Sequence, residues 1–255
     1  MHSTGNTLLI TGGGSGIGRA LAEAFTALGN QVIIAGRRES VLKQTTEANP
    51  GMAYVVLDIA DGADIQRVAA ELIAGYPTLN AVIHCAGIMR SENLLAGDSE
   101  LDDTVATNLL GPLRLDRALL PHFLQQPHAA IVTVSSGLAF LPLALTPSYC
   151  ATKAAVHSYS QSLRYQLKDT AVKVHELAPP YVQTELMGER QANDPHAMPL
   201  EAFIAEVMGI FQHSPEADEI LVERVKPLRF AEVNGGYGDF FKQFNDQMAA
   251  ARAGE

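Results

Sequence analysis

A glycine-rich turn, Thr11-Gly12-Gly13-Gly14-Ser15-Gly16-Ile17-Gly18, joins the first apolar run of the chain, Thr7 to Thr11, to a segment of helical period, Gly16–Leu28. A strand that turns straight into a helix opens a parallel α/β unit, and the glycines allow close backbone packing that a side chain would block. The same turn gathers backbone N–H groups and the positive end of a helix dipole at one point, which suits a pyrophosphate. No Gly-Lys-Ser/Thr comes after it, which disfavours the phosphate loop of a nucleoside triphosphatase.

The alternation begun there continues to Glu176. Further apolar runs at Gln31 to Ala35, Ala53 to Leu57, Ala81 to Cys85, Ala129 to Ser135 and Val172 to Leu177 read as strands covered on both faces, six in parallel with the first. Between them, helices are predicted at Gly16–Leu28, Glu39–Ala48, Asp61–Tyr76, Leu101–Leu124 and Ser148–Leu167, with Gly29, Pro50, Pro77 and Pro127 at or beyond their ends. With 255 residues, 47% hydrophobic and 18% charged, the chain can bury one large core. The expected fold is therefore α/β: a doubly wound parallel sheet (Rossmann fold), three-layer α/β/α, as a single domain over residues 1–255. Residues 183–215, with Met187, Met198, Phe203, Met208 and Phe211, read as a substrate lid, and plain packing explains those side chains equally well. Residues 216–255 read as C-terminal helices. Ser214 to Arg229 and Tyr237 to Ala251 are each expected to be one helix, with no closing strand.

Eighteen basic against 28 acidic residues give a formal charge of −10, the wrong sign for holding nucleic acid or an anionic membrane over a broad surface. The longest apolar run, Met52 to Leu57, is far below a membrane span, and the N-terminal residues do not resemble a signal peptide. A cytoplasmic protein is expected. Cys85 and Cys150 are the only cysteines, and His84, His122, His157, His175, His196 and His213 show no ligand spacing, so no metal site and no disulfide framework are expected. Asp61 and Asp64 suit a helix start, and Glu185 and Glu189 a solvated face.

The second strand ends in Ala35-Gly36-Arg37-Arg38, without the acidic residue that would take up the ribose 2′-hydroxyl of NAD. Guanidinium forks match a phosphate, so NADP(H) is the expected cofactor, although Arg38 could equally solvate a helix start.

Ser148-Tyr149-Cys150-Ala151-Thr152-Lys153 begins a helix, and a spacing of four puts the Tyr149 phenol and the Lys153 ammonium on one face. At about 4 Å and an effective dielectric near 20 they attract by about 4 kcal/mol, enough to bring a phenol from about 10 towards neutrality. Ser136 ends the fifth strand on the sheet edge where ligands of open α/β sheets bind, and its hydroxyl can reach a carbonyl oxygen.

With these motifs in place, Thr7 to about Leu186 resembles the short-chain dehydrogenase/reductase family, in its compact single-domain branch. The resemblance rests on TGxxxGxG at Thr11–Gly18, Asp58 after the third strand, Ala86-Gly87 after the fourth, Asn108, Ser136, Tyr149, Lys153, and Pro179 with Thr184. It implies catalytic roles for Asn108, Ser136, Tyr149 and Lys153, with Asn108 sustaining a water-linked proton relay and Tyr149 as the acid/base of hydride transfer between a nicotinamide and a carbonyl/alcohol substrate. It implies nucleotide contacts from Gly12, Ser15, Gly16, Ile17, Gly18, Arg37 and Arg38. Asp58 and Ile59 would border the adenine, with Cys85, Ala86 and Gly87 beyond them. Lys153 and Tyr149 would meet the nicotinamide ribose, and Pro179, Val182 and Thr184 the nicotinamide end. A homo-oligomer, most simply a homodimer, is expected through the helices Leu101–Leu124 and Ser148–Leu167, where Ala151, Ala155, Ser158 and Ser162 permit close approach.

Cys85 stands where the family usually has Asn, and Pro180 replaces the Gly of its Pro-Gly pair, as in a bacterial subgroup. Competing readings are a non-catalytic NADPH-binding regulator on the same fold and a sugar-type epimerase or dehydratase. A serine hydrolase at Ser136 lacks the GxSxG turn and a base.

Overall fold

In the computed structural model, residues 1–97 and 99–253 are described; Gly254 and Glu255, the last of the predicted C-terminal segment, lie outside the described residues. Strands β1 (Thr7–Thr11), β2 (Gln31–Gly36), β3 (Ala53–Val56), β4 (Leu79–His84), β5 (Ala129–Val134), β6 (Val172–Leu177) and β7 (Glu219–Ile220) form one sheet in the order β3-β2-β1-β4-β5-β6-β7. Every pairing is parallel. The order reverses between β1 and β4, and a crevice opens outside the carboxyl ends of strands at such a switch.

Helices α1 (Gly16–Ala27), α2 (Glu39–Ala48), α3 (Gly62–Gly75), α4 (Leu101–Val105), α5 (Gly111–Phe123), α6 (Pro147–Gln166), α7 (Glu189–Asn193), α8 (Leu200–His213), α9 (Lys226–Arg229) and α10 (Tyr237–Ala253) complete the fold. Strand periodicity divides the core in two. Ile10, Val32, Ile34 and Ile83 pack on one face with Leu21 and Phe25 of α1 and with Phe203, Val207 and Phe211 of α8. Leu9, Ile33, Val82 and Ile131 pack on the other with Ile65, Val68 and Leu72 of α3 and with Leu115, Leu119 and Phe123 of α5. Because both faces are covered, the strands read as near-continuous apolar runs. Asp61 caps α3, accepting from the N–H groups of Ala63 and Asp64.

The structure corrects three expectations. A closing strand exists: β7 pairs Glu219 with Glu176 and Ile220 with Leu177. Two residues carry too little pattern to be legible, and the chain beyond them forms a 3₁₀ turn, Glu223–Val225, and the short α9 rather than one helix from Ser214 to Arg229. The helix Leu101–Leu124 is interrupted by a π turn at Ala106–Leu110. In residues 183–215, Met198, Phe203, Met208 and Phe211 belong to the core, and α8 packs beside α1, so a covering role is left to the loop and α7 before it.

Candidate active site

The glycine turn is shaped by contact. Gly12 has a left-handed backbone (φ +68°), and a Cβ there would lie 2.8 Å from the Ala86 nitrogen; at Gly18 it would lie 2.5 Å from the Gly12 carbonyl oxygen and 3.1 Å from the Cys85 Cβ. These glycines let α1 begin directly against β1 and β4. Ser15 is the N-cap of α1 but its side chain makes no capping bond, and no acidic residue stands in the first turn. The amide groups there face a cleft of about 470 Å³ lined by Gly12, Gly14, Ser15, Arg37, Arg38, Leu57, Ile59, Ala86 and Gly87. Both arginines are exposed and make no ion pair among the described residues. A glycine cradle, an open helix N-terminus and two guanidiniums at one end suit a dinucleotide carrying a further phosphate.

Other predicted nucleotide residues sit behind this wall. Gly16 (φ +52°) lies against Thr184, 3.6 Å away at its Cβ position. Ile17 and Cys85 pack on the core, and burial pushes the Cys85 thiol up to about 12, so it is an inert filler beneath Gly18. Asp58 turns its carboxylate to the Ala60 N–H (3.0 Å), leaving Ile59 to line the cleft. The Pro179 carbonyl accepts from the Gly137 N–H (2.9 Å), and the Val182 carbonyl accepts from Gln191 Nε2 (2.9 Å).

Across the cleft, α6 carries two of the predicted catalytic side chains. Tyr149 and Lys153 lie one turn apart and buried, with the Lys153 ammonium 5.5 Å from the Tyr149 ring centroid. The Tyr149 phenol lies within reach of Ser136, which pulls its pKa down. Ser136 Oγ also accepts from the Leu138 N–H (3.1 Å), and Lys153 Nζ donates to the Val134 carbonyl (2.7 Å). Ser136, Tyr149 and Lys153 therefore meet at the end of β5.

The electrostatics differ from the expectation based on spacing. Burial pushes the Tyr149 phenol up to about 12, against the smaller downward pull of Ser136, and brings the Lys153 ammonium down to about 8. Desolvation dominates both shifts, and the ammonium is directed at the Val134 carbonyl. Tyr149 is thus held in the protonated form that a proton donor needs.

The π turn places Asn108. Its amide clamps the backbone of Ile88, accepting from the Ile88 N–H and donating to the Ile88 carbonyl, both at 2.8 Å, and lies 3.4 Å from Thr152 Oγ1. One extra residue in the turn points this side chain inward, a common use of π bulges. The clamp holds Ala86–Ile88 against α6 beside Lys153.

Sequence reasoning missed two side chains. Glu92, buried, accepts from the Ser148 N–H (3.0 Å) and Ser148 Oγ (2.7 Å) and so holds the first turn of α6. Gln191 ties the loop after β6 together through the Val182 carbonyl, Thr184 Oγ1 and the Met187 N–H. Neither has a sequence signature, because their partners are distant backbone and hydroxyl groups. His157, Glu176 and Glu219 also converge, with one donor atom of each within 4.8 Å of the others. Arg229 already grips Glu219 (2.9 Å) and Ser135 donates to Glu176, so the group is an ion-pair network joining β6, β7 and α6.

Comparison with known proteins agrees with this geometry. Residues 6–195 match the model of the short chain dehydrogenase family. The oxidoreductase DltE of Bacillus subtilis (strain 168) is 40% identical over 97% of this chain and 99% of its own. The 3-oxoacyl-[acyl-carrier-protein] reductase FabG of Escherichia coli (strain K12) is 29% identical over 73% of this chain and 77% of its own. A short-chain dehydrogenase structure from Streptomyces avermitilis superposes with a TM-score of 0.81 at 25% identity, covering 99% of this chain and 100% of that one. A serine dehydrogenase complexed with NADP+ superposes with a TM-score of 0.73 at 26% identity over 80% of this chain and 88% of its own. With the glycine cleft, the Ser136–Tyr149–Lys153 cluster and these matches together, the chain belongs to the short-chain dehydrogenase family of oxidoreductases.

Proposed function

We propose that this protein is an NADP(H)-dependent carbonyl reductase or alcohol dehydrogenase, with Tyr149 as acid/base. The observation that carries the reading is the meeting of Ser136, Tyr149 and Lys153 beside a cleft whose far end holds Arg37 and Arg38. A nicotinamide cofactor supplies or accepts the hydride. The chain's own residues do the rest. Amide groups at Gly12–Ser15 hold the pyrophosphate, the two arginines the 2′-phosphate, and Ile59 and Leu57 the adenine side. Lys153 binds the ribose hydroxyls. Ser136 donates a hydrogen bond to the substrate oxygen, and Tyr149 passes its phenolic proton to that oxygen as negative charge develops there. In oxidation both moves reverse.

The test is NADPH consumption monitored by absorbance across ketones, aldehydes, steroids, sugars and acyl thioesters, for the wild type and for Tyr149→Phe. Turnover that the variant loses supports the reading; turnover equal in both overturns it. We further propose a cytoplasmic homodimer built on α4, α5 and α6. Leu101 on α4 and Leu110 in the π turn after it are exposed, as are Ala151, Ser158 and Ser162 on α6. Light scattering at micromolar concentration that gives a monomer mass would count against the dimer.

A further inference from the structure

α10 borders the apolar cluster that includes Tyr149. Its half-buried side chains Phe244 and Met248 pack on the cluster formed by Leu143, Tyr149 and Cys150, together with Met89, Leu138 and Leu145. Tyr149 is left 7% exposed. A carbonyl oxygen must come within hydrogen-bond distance of the Tyr149 phenol, so the side chains packed on this cluster govern access to it.

The neighbours of α10 are firmly tied. Leu138 is held by its N–H bond to Ser136 Oγ, and the Leu145 carbonyl accepts from the Glu92 N–H (2.9 Å). Among the described residues, the hydrogen bonds that tie α10 to the body run through one side chain, Asn245. It accepts from the Ala144 N–H (2.7 Å) and donates to the Pro142 carbonyl (3.1 Å). The helix is entered through Gly235 and Gly236, two successive left-handed residues (φ +76° and +71°) with no atom near their Cβ positions. Such a pair is a low-cost pivot.

Building on the carbonyl-reductase reading above, we propose that α10 is a lid hinged at Gly235–Gly236 and latched by Asn245. Its Phe244 and Met248 form the wall that selects a carbonyl compound bearing a hydrocarbon group. The wall is made of Met, Leu and Phe side chains, so an alkyl chain replaces the contacts that the lid loses when it lifts. Flexible Met89 and Met248 adapt to chains of different length.

Two measurements test this. The first needs no substrate: iodoacetamide labelling of Cys150, buried in the covered cluster, read by mass spectrometry, with the inert Cys85 as the negative control for global opening. Asn245→Ala should raise the Cys150 rate several-fold while leaving Cys85 unchanged. Equal Cys150 rates in the two proteins would overturn the latch. The second is NADPH-dependent reduction of straight-chain aldehydes from propanal to decanal, with glyceraldehyde as polar control. For the wild type kcat/KM should rise about fourfold per added methylene, and Met248→Gln and Phe244→Ser should flatten that slope while keeping NADPH affinity by fluorescence titration. A flat wild-type series, a slope unchanged in both variants, or no aldehyde turnover despite NADPH binding would overturn the apolar wall. Failure to bind NADPH would instead overturn the cofactor assignment, and the Cys150 rates would still decide the lid.

Discussion

Glu92 reaches Ser148 across 56 residues of chain, its two carboxylate oxygens taking the Ser148 N–H and hydroxyl at 3.0 and 2.7 Å. The helix that carries Tyr149 and Lys153 is therefore started by a side chain from the loop after β4. Glu92→Ala leaves a buried N–H and hydroxyl without that acceptor, which costs about 1–3 kcal/mol. Urea denaturation should show that loss, with a fall in kcat because Tyr149 sits one residue further on. Glu92→Gln, which keeps one acceptor oxygen, should recover most of both. Wild-type stability in Glu92→Ala would contradict the role.

Removing the phenolic proton should lower kcat by about 10² to 10⁴ in Tyr149→Phe, with NADPH affinity nearly intact because the ring packing is kept. Ser136→Ala should lower kcat with little change in NADPH binding, since its hydroxyl meets the phenol rather than the nucleotide cleft. Steady-state kinetics and cofactor fluorescence separate the two effects. NADPH affinity lost in parallel with kcat in Ser136→Ala would assign this serine to the nucleotide.

Arg37→Ala should cut the preference for NADPH over NADH by about 10- to 100-fold, the equivalent of one charge-assisted hydrogen bond. The measurement is kcat/KM for both cofactors. Equal wild-type values for NADPH and NADH would place the 2′-phosphate elsewhere.

Burial holds the Lys153 ammonium at about 8. Lysine is charged below its pKa, so the proposed contact with the ribose should be complete at pH 7 and be lost as pH rises through about 8. The NADPH dissociation constant should be flat from pH 6 to 7 and increase above 8, and Lys153→Met should abolish that break while weakening binding throughout. Tyr149, held up near 12, does not titrate in this window. A profile flat to pH 9.5 in the wild type would contradict a charged Lys153 contact.

The six long strands were legible because both faces of this sheet are covered, and the glycine turn because only glycine fits where a Cβ would meet Ala86 or Gly12. Ser136, Tyr149 and Lys153 come together as their spacing implied. The hidden features depend on three-dimensional neighbours. The π turn at Asn108 arises from clamping Ile88, a contact that helical periodicity does not report. The raised Tyr149 pKa comes from burial, in a cluster that Phe244 and Met248 pack against from nearly a hundred residues away in sequence. For Phe203 and Phe211 the sequence left lid contact and plain packing equally open, because α8 comes after a loop of weak period, and in the structure they complete the core against α1.

The brevity of β7 bears on how copies of this chain can associate. An edge strand with a long row of free amide and carbonyl groups invites a second sheet to continue it. Here that margin is two residues long, and Arg229 draws the Glu219 side chain into an ion pair beside it. The opposite margin, β3, offers four residues. Sheet extension has little to hold at either border, which favours the proposed homodimer being built from side chains on helices. A substitution that disturbs it should then change mass in solution without seeding fibrils.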